Sequence, residues 1–253
     1  MTTDDLISAL ALPFGARMDQ RVPKKLLLEN GASTASDKHQ INDGIEGIHW
    51  LAVLKPTTIG VPDYRDEVRE YLEIAVLSLV LREEAKSARL MELVHRAVPY
   101  PVLLIVMQDR SLSLSLAHKR WSQGETDRVV IDGAVVGVLL ESQSPVSAVE
   151  EQFMQALALD RQPRATLYDL YQGWMDTLYA LHAARLTGIF AVSATPEQAA
   201  ARRLALQEYR SLNGEAARLQ GLATKEKQLP RLVDLNLALK RVQAELASTK
   251  ERL

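Results

Sequence analysis

The sequence contains no cysteine, and this absence excludes several kinds of chemistry. A chain of 253 residues without thiols has no disulfide, no thiolate zinc site, no iron–sulfur cluster and no cysteine nucleophile. Long apolar runs are also missing, because Leu72–Leu81, Pro101–Met107 and Ala134–Leu140 all fall short of the about 18–20 residues that span a bilayer. The first residues lack the basic segment of a signal peptide. We therefore expect a cytoplasmic protein with no membrane segment.

The motifs of common nucleotide-binding and hydrolytic enzymes are absent. The sequence has no Gly-x-x-x-x-Gly-Lys-Ser/Thr loop, no Gly-x-Gly-x-x-Gly turn and no Gly-x-Ser-x-Gly turn. Its five histidines are scattered without the spacing of metal ligands. Hydrophobic residues make up 47% and charged residues 25% of the chain, a composition typical of a folded globular protein. These features predict a folded protein without a metal site or a cofactor.

Short apolar segments in the first half of the chain predict a sheet. Branched or alternating residues indicate strands at His49–Leu54, Leu72–Leu81, Val102–Met107 and Ser111–Ala117. The helical pattern of Glu83–Ala97 lies between two of these strands and predicts a right-handed crossover with a parallel pair. The fold class is therefore mixed α/β, an α+β sheet domain of five or six strands with helices packed against it.

Other local signals complete this domain. Residues 4–12 are predicted to form a helix capped by Asp4 or Asp5, and Lys24–Leu28 is predicted to be extended. A second helix, capped by Ser36, is predicted to carry three isoleucines on one face: Ile41, Ile45 and Ile48. Asp132 and Gly133 separate two apolar runs and predict a hairpin turn between two short strands.

The second half of the chain is predicted to be helical. Ser144 and Pro145 form a cap signal before residues 146–159, residues 164–186 form a longer helix, and Thr195-Pro196 is the strongest cap in the sequence. Beyond it, apolar residues recur in heptads at Leu232, Leu235, Leu239, Val242, Leu246 and Leu253. Pro230 leaves two alternatives open, a hairpin of two helices or a single kinked rod. The predicted domains are a sheet domain (1–145), a helical region (146–195) and a coiled coil (196–253).

The heptads and the charge distribution both suggest an assembly role for the C-terminal segment. Residues 197–253 hold 11 Lys+Arg and 7 Asp+Glu, a net charge of +4, whereas residues 1–196 hold 19 and 25, a net charge of −6. An apolar seam must pack against another helix, which belongs to this chain, a second copy or a different protein. The residues predicted to form this interface are Leu232, Leu235, Leu239, Val242 and Leu246.

Basic residues in the sheet domain are candidates for contact with nucleic acid. Lys25, Lys55, Lys119 and Arg120 occur in or near predicted strands, and Trp121 directly follows two of these cations. Cations neutralise phosphates, and an indole ring stacks on an unpaired base. The alternative is that the cations are solvated and Trp121 covers the edge of the sheet.

A second interpretation is a magnesium-dependent nuclease. Pro62-Asp63, followed by Glu84-Ala85-Lys86, fits a spacing in which two carboxylates hold Mg²⁺ and a lysine assists the attacking water. Glu73, in combination with Lys119, is another candidate. This chemistry requires the carboxylates to converge on one ion, whereas Glu84 and Lys86 are predicted at the start of a helix and Asp63 in a loop.

Several blocks of the sequence, taken in order, resemble one known family. These blocks are Lys24-Lys25, Ile45–Trp50, Leu54–Ile59, Glu73-Ile74, Ala97–Val102, Ala117–Arg120, Lys225–Gln228 and Asp234–Asn236. Together they resemble the prokaryotic family called domain of unknown function 4391. One departure is Leu229-Pro230, where relatives tend to continue a helix.

The resemblance implies a genomic context and no catalytic residues. Such proteins are typically encoded beside helicases and DNA methyltransferases in restriction-like, anti-phage defence operons. We therefore expect a non-enzymatic assembly subunit that docks onto one of these partners, or onto a second copy, through its coiled coil. Its sheet domain is expected to contact DNA. The nuclease, with Mg²⁺ as its cofactor, and a non-catalytic nucleic-acid-binding module remain alternatives.

Overall fold

A computed structural model of the chain describes residues 2–125, 128–140 and 146–253. The chain divides into two compact units, Met1–Leu178 and Tyr179–Leu253. The first unit contains a mixed sheet with helices on both faces, and the second contains two long helices. One helix, Leu167–Thr187, runs through the boundary between the units.

The strands are β1 (Arg17–Arg21), β2 (Ile45–Leu54), β3 (Tyr64–Arg65), β4 (Glu70–Tyr71), β5 (Ile74–Leu81), β6 (Val102–Gln108), β7 (Ser111–Trp121) and β8 (Val129–Leu140). Six of them form the main sheet, in the order β1-β2-β5-β6-β7-β8. Among these described strands only β5 and β6 run parallel, because the chain crosses between them through a helix, and the other neighbours are antiparallel. This confirms the predicted mixed sheet and its crossover. A separate two-stranded sheet joins β3 to β4.

Three helices cover one face of the sheet. They are α2 (Lys24–Asn30), α3 (Ala35–Gly44) and α5 (Ser87–Ala97). The apolar stripe of α5 packs onto alternate residues of β5 and β6, which forms a fully buried core. Gly31 allows α2 to approach α5 closely, because a Cβ atom at this position would lie 2.7 Å from the carbonyl oxygen of Leu93. The residues facing this core include Leu27, Ile41, Ile48, Leu77, Leu90, Leu93, Val94 and Leu104.

The opposite face of the sheet is covered by further helices. They are α1 (Thr3–Ala9), α6 (Ala148–Ala156) and the first part of α7 (Leu167–Thr187), and a short helix α4 (Pro56–Ile59) follows β2. Trp174 of α7 is fully buried, and its indole N–H donates to the carbonyl of Leu157 at 2.9 Å. Leu157 directly follows α6, so this bond satisfies a carbonyl that the end of a helix leaves unpaired.

Several local predictions near the N-terminus are wrong, among them the cap at Asp4 or Asp5, because Thr2 caps the first helix, Thr3–Ala9. Lys24–Leu28 forms the beginning of α2 and is not extended, in keeping with the good helix propensity of lysine and leucine. The helix α3 is capped by the hydroxyl of Thr34, which accepts the N–H of Asp37, and not by Ser36. It ends at Gly44, so that Ile45 and Ile48 belong to β2 while Ile41 stays on the helix.

The predicted hairpin at Asp132-Gly133 is also wrong. Residues Val129–Leu140 form a single strand, and its pairing with β7 continues on both sides of the glycine. Gly133 has a φ of 82°, a left-handed conformation that glycine adopts without strain, so the strand bends here without reversing. The cap predicted at Ser144 and Pro145 lies outside the described residues, and Ser147 caps α6.

Strand β1 forms one edge of the main sheet and is exposed along its whole length. Its five residues, Arg17–Arg21, include two arginines and an aspartate, and its pairing with β2 is irregular between Arg17 and Gln20. Charged side chains and an irregular register are two means by which proteins protect the open edge of a sheet.

The second unit contains a helical hairpin, made of α8 (Pro196–Lys225) and α9 (Leu229–Glu251). Thr195 caps α8 as predicted, since its side chain accepts the N–H of Gln198. The two helices run antiparallel, because Arg202 near the beginning of α8 donates to the carbonyl of Leu253, and Glu208 in the middle of α8 bonds to Thr249 and Arg252 at the end of α9. Of the two alternatives, the chain forms the hairpin, and Pro230 lies in the first turn of α9, where proline is tolerated. None of the described helices is both long enough and apolar enough to cross a membrane.

Candidate functional site

The heptad residues of α9 form the seam of the helical hairpin. Leu232, Leu235, Leu239, Val242 and Leu246 are all half-buried, whereas most other residues of α9 are exposed. Thr249 continues this register and contacts Glu208 of α8. The helix that covers the predicted interface is therefore the upstream helix of the same chain, which was one of the three partners considered.

A second apolar stripe on α9 remains exposed. Leu229, Val233 and Leu237 are 74%, 54% and 53% exposed. Their i, i+4, i+8 spacing places them on one side of the helix, one residue away from the heptad seam. They occupy the end of the hairpin next to the connection between α8 and α9. This stripe, which we call the distal stripe, is an apolar surface that the hairpin itself leaves uncovered.

The first unit has a groove at the end of the main sheet, beyond the last residue of α5. Two cavities that share Tyr100 form it. The larger, of about 480 Å³, is lined by Arg17, Trp50, Lys55 and Glu73 among others. The smaller, of about 190 Å³, is lined by residues that include Lys119, Arg120 and Trp121. We call the two together the sheet-end groove.

Strand register explains why these residues meet. Leu54 pairs with Ile74, Ala75 with Val102, and Leu104 with Ser115. Lys55, Glu73, Tyr100 and Lys119 therefore form one row across β2, β5, β6 and β7. With strands about 4.8 Å apart, the row is about 14 Å long. The carboxylate of Glu73 lies 3.1 Å from the ammonium of Lys55 and positions it beside the larger cavity.

Lys119 lies beneath the smaller cavity and is only 2% exposed. Its ammonium donates to the carbonyl of His95 and, at 2.9 Å, to that of Val98, which are carbonyls at the end of α5. Burial lowers the pKa of Lys119 to about 7. His95 is fully buried and contacts Ser115 at 2.8 Å. Burial, followed by the charge of Lys119, lowers the pKa of His95 to about 3, so this imidazole is neutral at physiological pH.

On the opposite face, His118 belongs to a chain of hydrogen bonds. The Gln172 amide donates to Asp176, and its oxygen lies 2.9 Å from Nε2 of His118, whose Nδ1 lies 2.5 Å from the Tyr71 hydroxyl. Burial raises the pKa of Tyr71, so its hydroxyl stays protonated. The ring of Tyr168 stacks on His118. Because these groups bind one another, the cluster holds α7 against β7.

The structure brings three of the four predicted nucleic-acid-binding cations, Lys55, Lys119 and Arg120, to the sheet-end groove. Lys25 lies on α2 beside Glu29 and does not line the groove, and Arg120 lies 3.6 Å from Asp132. Lys119 is buried, and its ammonium donates to the carbonyls at the end of α5. Lys55 is half-exposed beside the larger cavity and is the predicted cation best placed for a ligand.

The nuclease candidates do not form one site. Glu73 precedes β5 and Glu84 follows it, so a strand of about 26 Å separates two carboxylates that would have to lie within a few Å of one ion. Glu84 and Lys86 lie in the turn before α5, and Asp63 is exposed just before β3. Within the residues that the structure describes, no group of three or more histidine or acidic side chains could hold a metal ion.

Some residues of the distal stripe and of the sheet-end groove were not predicted from the sequence. Trp50 and Tyr100 each belong to a block that resembles the family, and neither was predicted to form part of a site. The signal for the distal stripe was its i, i+4, i+8 spacing, which the adjacent heptads obscured. No local sequence pattern indicates the groove, because its residues come from different strands that only the order of the sheet brings together.

A β-bulge in β8, opposite Ala117 of β7, gives one buried tyrosine a distinct structural role. Leu116 pairs with Val136 and His118 with Asp132, so three residues of β8 lie opposite Ala117, which has no pairing partner in the ladder. The hydroxyl of Tyr171 accepts the N–H of Ala117 at 2.9 Å and donates to the carbonyl of Val102 at 2.7 Å.

We expect Tyr171→Phe to lower the free energy of unfolding by about 1–3 kcal/mol, because it leaves these buried backbone groups without a partner. Urea unfolding measures the change. Tyr100→Phe removes a hydroxyl from a half-exposed ring and serves as the control, with an expected change below about 0.5 kcal/mol. Equal effects of the two substitutions would show that the bulge does not depend on Tyr171.

The chain belongs to the family described as domain of unknown function (DUF4391), whose family model matches residues 10–246. This match spans nearly the whole chain and confirms the resemblance seen in the sequence. Searches for similar proteins found no match among curated proteins and none among solved structures.

Proposed function

We propose that the protein is a non-enzymatic assembly subunit that docks onto a partner protein through the distal stripe of its helical hairpin. The observation that carries this proposal is the exposed row of Leu229, Val233 and Leu237 on a helix whose other apolar face already packs against α8. A protein surface with clustered, exposed apolar side chains commonly marks an interaction site. An amphipathic helix of a partner would cover the row by packing along α9.

Charge favours a partner of a different kind over a second copy. Residues 197–253 carry a net charge of +4, and the exposed cations Arg231, Lys240 and Arg241 are close to the distal stripe in sequence. Two such hairpins would repel each other, whereas a helix with acidic residues beside its apolar stripe complements this surface. The partner helix is therefore expected to be acidic.

The family resemblance indicates which proteins to test first. It implies a place beside helicases and DNA methyltransferases in restriction-like, anti-phage defence operons. A helicase or methyltransferase subunit with an acidic amphipathic helix is accordingly the expected partner. In this arrangement the hairpin holds the sheet domain next to an enzyme that acts on DNA.

Leu237→Glu is expected to reduce co-purification with the helicase or methyltransferase subunit at least about tenfold. The substitution places a carboxylate in the apolar centre of the interface and opposite an acidic partner, and central interface residues commonly contribute this much. The measurement is affinity capture of the full-length protein co-expressed with each neighbouring subunit.

Leu204→Glu is the matched control. Leu204 is 68% exposed on α8, near the opposite end of the hairpin from the distal stripe. It introduces the same charge and should leave co-purification unchanged, and circular dichroism should show equal helix content in both variants. Full partner binding by Leu237→Glu, or equal loss in Leu204→Glu, would contradict the proposal.

A further inference from the structure

We propose that the sheet-end groove binds single-stranded nucleic acid, with bases stacked on Trp50, Tyr100 and Trp121 and phosphates held by Lys55 and Arg17. This inference is independent of the docking role of the hairpin, because the groove is formed entirely by residues of the first unit. The ligand class follows from three features of the groove: its aromatic side chains, its cations and its position on the sheet.

The aromatic side chains supply the stacking surfaces. Aromatic residues make up only 5% of the chain, yet two of its three tryptophans line the two adjoining cavities, and Tyr100 lines both. Pro99 and Pro101 flank Tyr100 and restrict the backbone on both sides of it. Aromatic rings beside cations are the usual platform for unpaired bases, since every base offers a flat face. Two glutamates also line the cavities, and each is paired with a cation, Glu70 with Arg65 and Glu73 with Lys55.

The cations of the sheet-end groove are placed to contact the phosphates of the bound strand and not its bases. Lys55 is half-exposed at one end of the row across the strands, and Arg17 is exposed on the neighbouring edge strand β1. Lys119, by contrast, donates to the carbonyls at the end of α5 and forms part of the floor. Backbone phosphates would therefore follow the outer side of the groove, nearest β1 and β2.

The form of the groove favours a single strand over a duplex. In a duplex the faces of the bases are stacked on one another and cannot reach Trp50 or Trp121. The row from Lys55 to Lys119 is about 14 Å long and crosses four strands. Three aromatic rings along this row provide stacking surfaces for about three bases.

Tryptophan fluorescence tests the inference directly on the full-length protein. Trp50 and Trp121 line the groove, whereas Trp174 is fully buried and bonded to Leu157. An oligothymidylate strand of about 12 nucleotides should quench the emission of the wild type by stacking on the first two indoles. Fluorescence anisotropy of the labelled strand gives the affinity.

Variants separate stacking from charge. Trp121→Ala should weaken binding of the strand roughly tenfold, in line with the loss of one stacked base. Lys55→Gln should weaken it and reduce the slope of log affinity against log salt concentration by about 0.7, as expected for one lost phosphate contact with a single strand. Lys25→Gln removes the same charge outside the groove and should change neither quantity.

Three results would each overturn the inference. The first is equal affinity of wild type and Trp121→Ala, and the second is equally tight binding of a duplex of the same length. The third is displacement of the strand by oligoglutamate at equal charge concentration, which would indicate a site for acidic peptides. Leu237→Glu should bind the strand like the wild type, so that failure of the docking role and failure of this inference give different results.

Discussion

We expect the Lys119→Met variant to lose most of a pH dependence of stability that the wild type shows between about pH 7 and pH 10. Burial lowers the pKa of Lys119 to about 7 in the folded protein, against 10.5 for an ordinary lysine. The unfolded chain therefore binds more protons than the folded protein throughout this range, and the wild type becomes more stable as the pH rises. Methionine fills similar space and does not titrate.

The effect is large because the ammonium is almost completely buried. Each pH unit within the range contributes up to about 1.4 kcal/mol, so raising the pH from 7 to 9 should stabilise the wild type by about 2 kcal/mol relative to the variant. The variant also loses the bonds to the carbonyls of His95 and Val98, which lowers its stability throughout the range. The pH dependence of the difference therefore reports the titration of Lys119.

Urea unfolding of both proteins at pH 7, 8 and 9 provides the measurement. The difference in free energy of unfolding between wild type and variant should grow steadily in favour of the wild type. Parallel curves for the two proteins would mean that Lys119 titrates near its ordinary pKa and is solvated in solution. Lys25→Met, at an exposed position, is the control and should follow the wild type.

Trp174→Ala is expected to have the largest effect on stability, a loss of about 3–5 kcal/mol. Trp174 is the largest of the fully buried side chains, and its truncation leaves a cavity that the surrounding helices cannot close completely. The same substitution removes the donor to the carbonyl of Leu157 at the end of α6. Both losses act on the packing of α6 against α7.

Trp174→Phe separates the two contributions. Phenylalanine fills most of the space but has no N–H, so this variant should lose about 1–3 kcal/mol, mainly through the unpaired carbonyl. Urea unfolding followed by circular dichroism measures both variants without relying on the tryptophan signal. If the phenylalanine variant were as unstable as the alanine variant, the hydrogen bond and not the cavity would dominate.

The sequence was most informative where a segment is buried on both faces. The apolar runs that became β5 and β6 and the amphipathic pattern of α5 were sufficient to predict a parallel pair with a helical crossover. The cap at Thr195 was equally clear, because three local residues specify it. In these cases local propensity and tertiary packing favour the same structure.

Prediction failed where one pattern fits two structures. Ile41, Ile45 and Ile48 have helical spacing, but the chain changes from α3 to β2 after Gly44, and both elements bury their isoleucines in the same core. Asp132-Gly133 suits a hairpin turn, yet Asp132 pairs with Arg69 and the strand continues along β7. Tertiary contacts decide such cases, and they are not visible locally.

The two candidate surfaces differ in how far sequence could predict them. The helices that carry the distal stripe were predictable, whereas the choice of which apolar stripe faces α8 depends on how the two helices pack. The residues of the sheet-end groove come from β2, β5, β6 and β7 and from the segments next to these strands. They are distant in the sequence and meet only because these four strands are neighbours in the sheet. Lys119 illustrates the limit, since its sequence neighbours suggested a surface cation and only the position of α5 makes it a buried one.

Strand β1 also determines how the sheet behaves at high protein concentration. If two copies paired antiparallel through this edge about its central residue, Arg17 would face Arg21 and Asp19 would face Asp19. Like charges directly opposite each other on paired strands are destabilising. The alternation of arginine and aspartate that makes β1 uniformly polar therefore opposes its pairing with itself, and a concentrated solution is protected from sheet-to-sheet polymerisation at this edge.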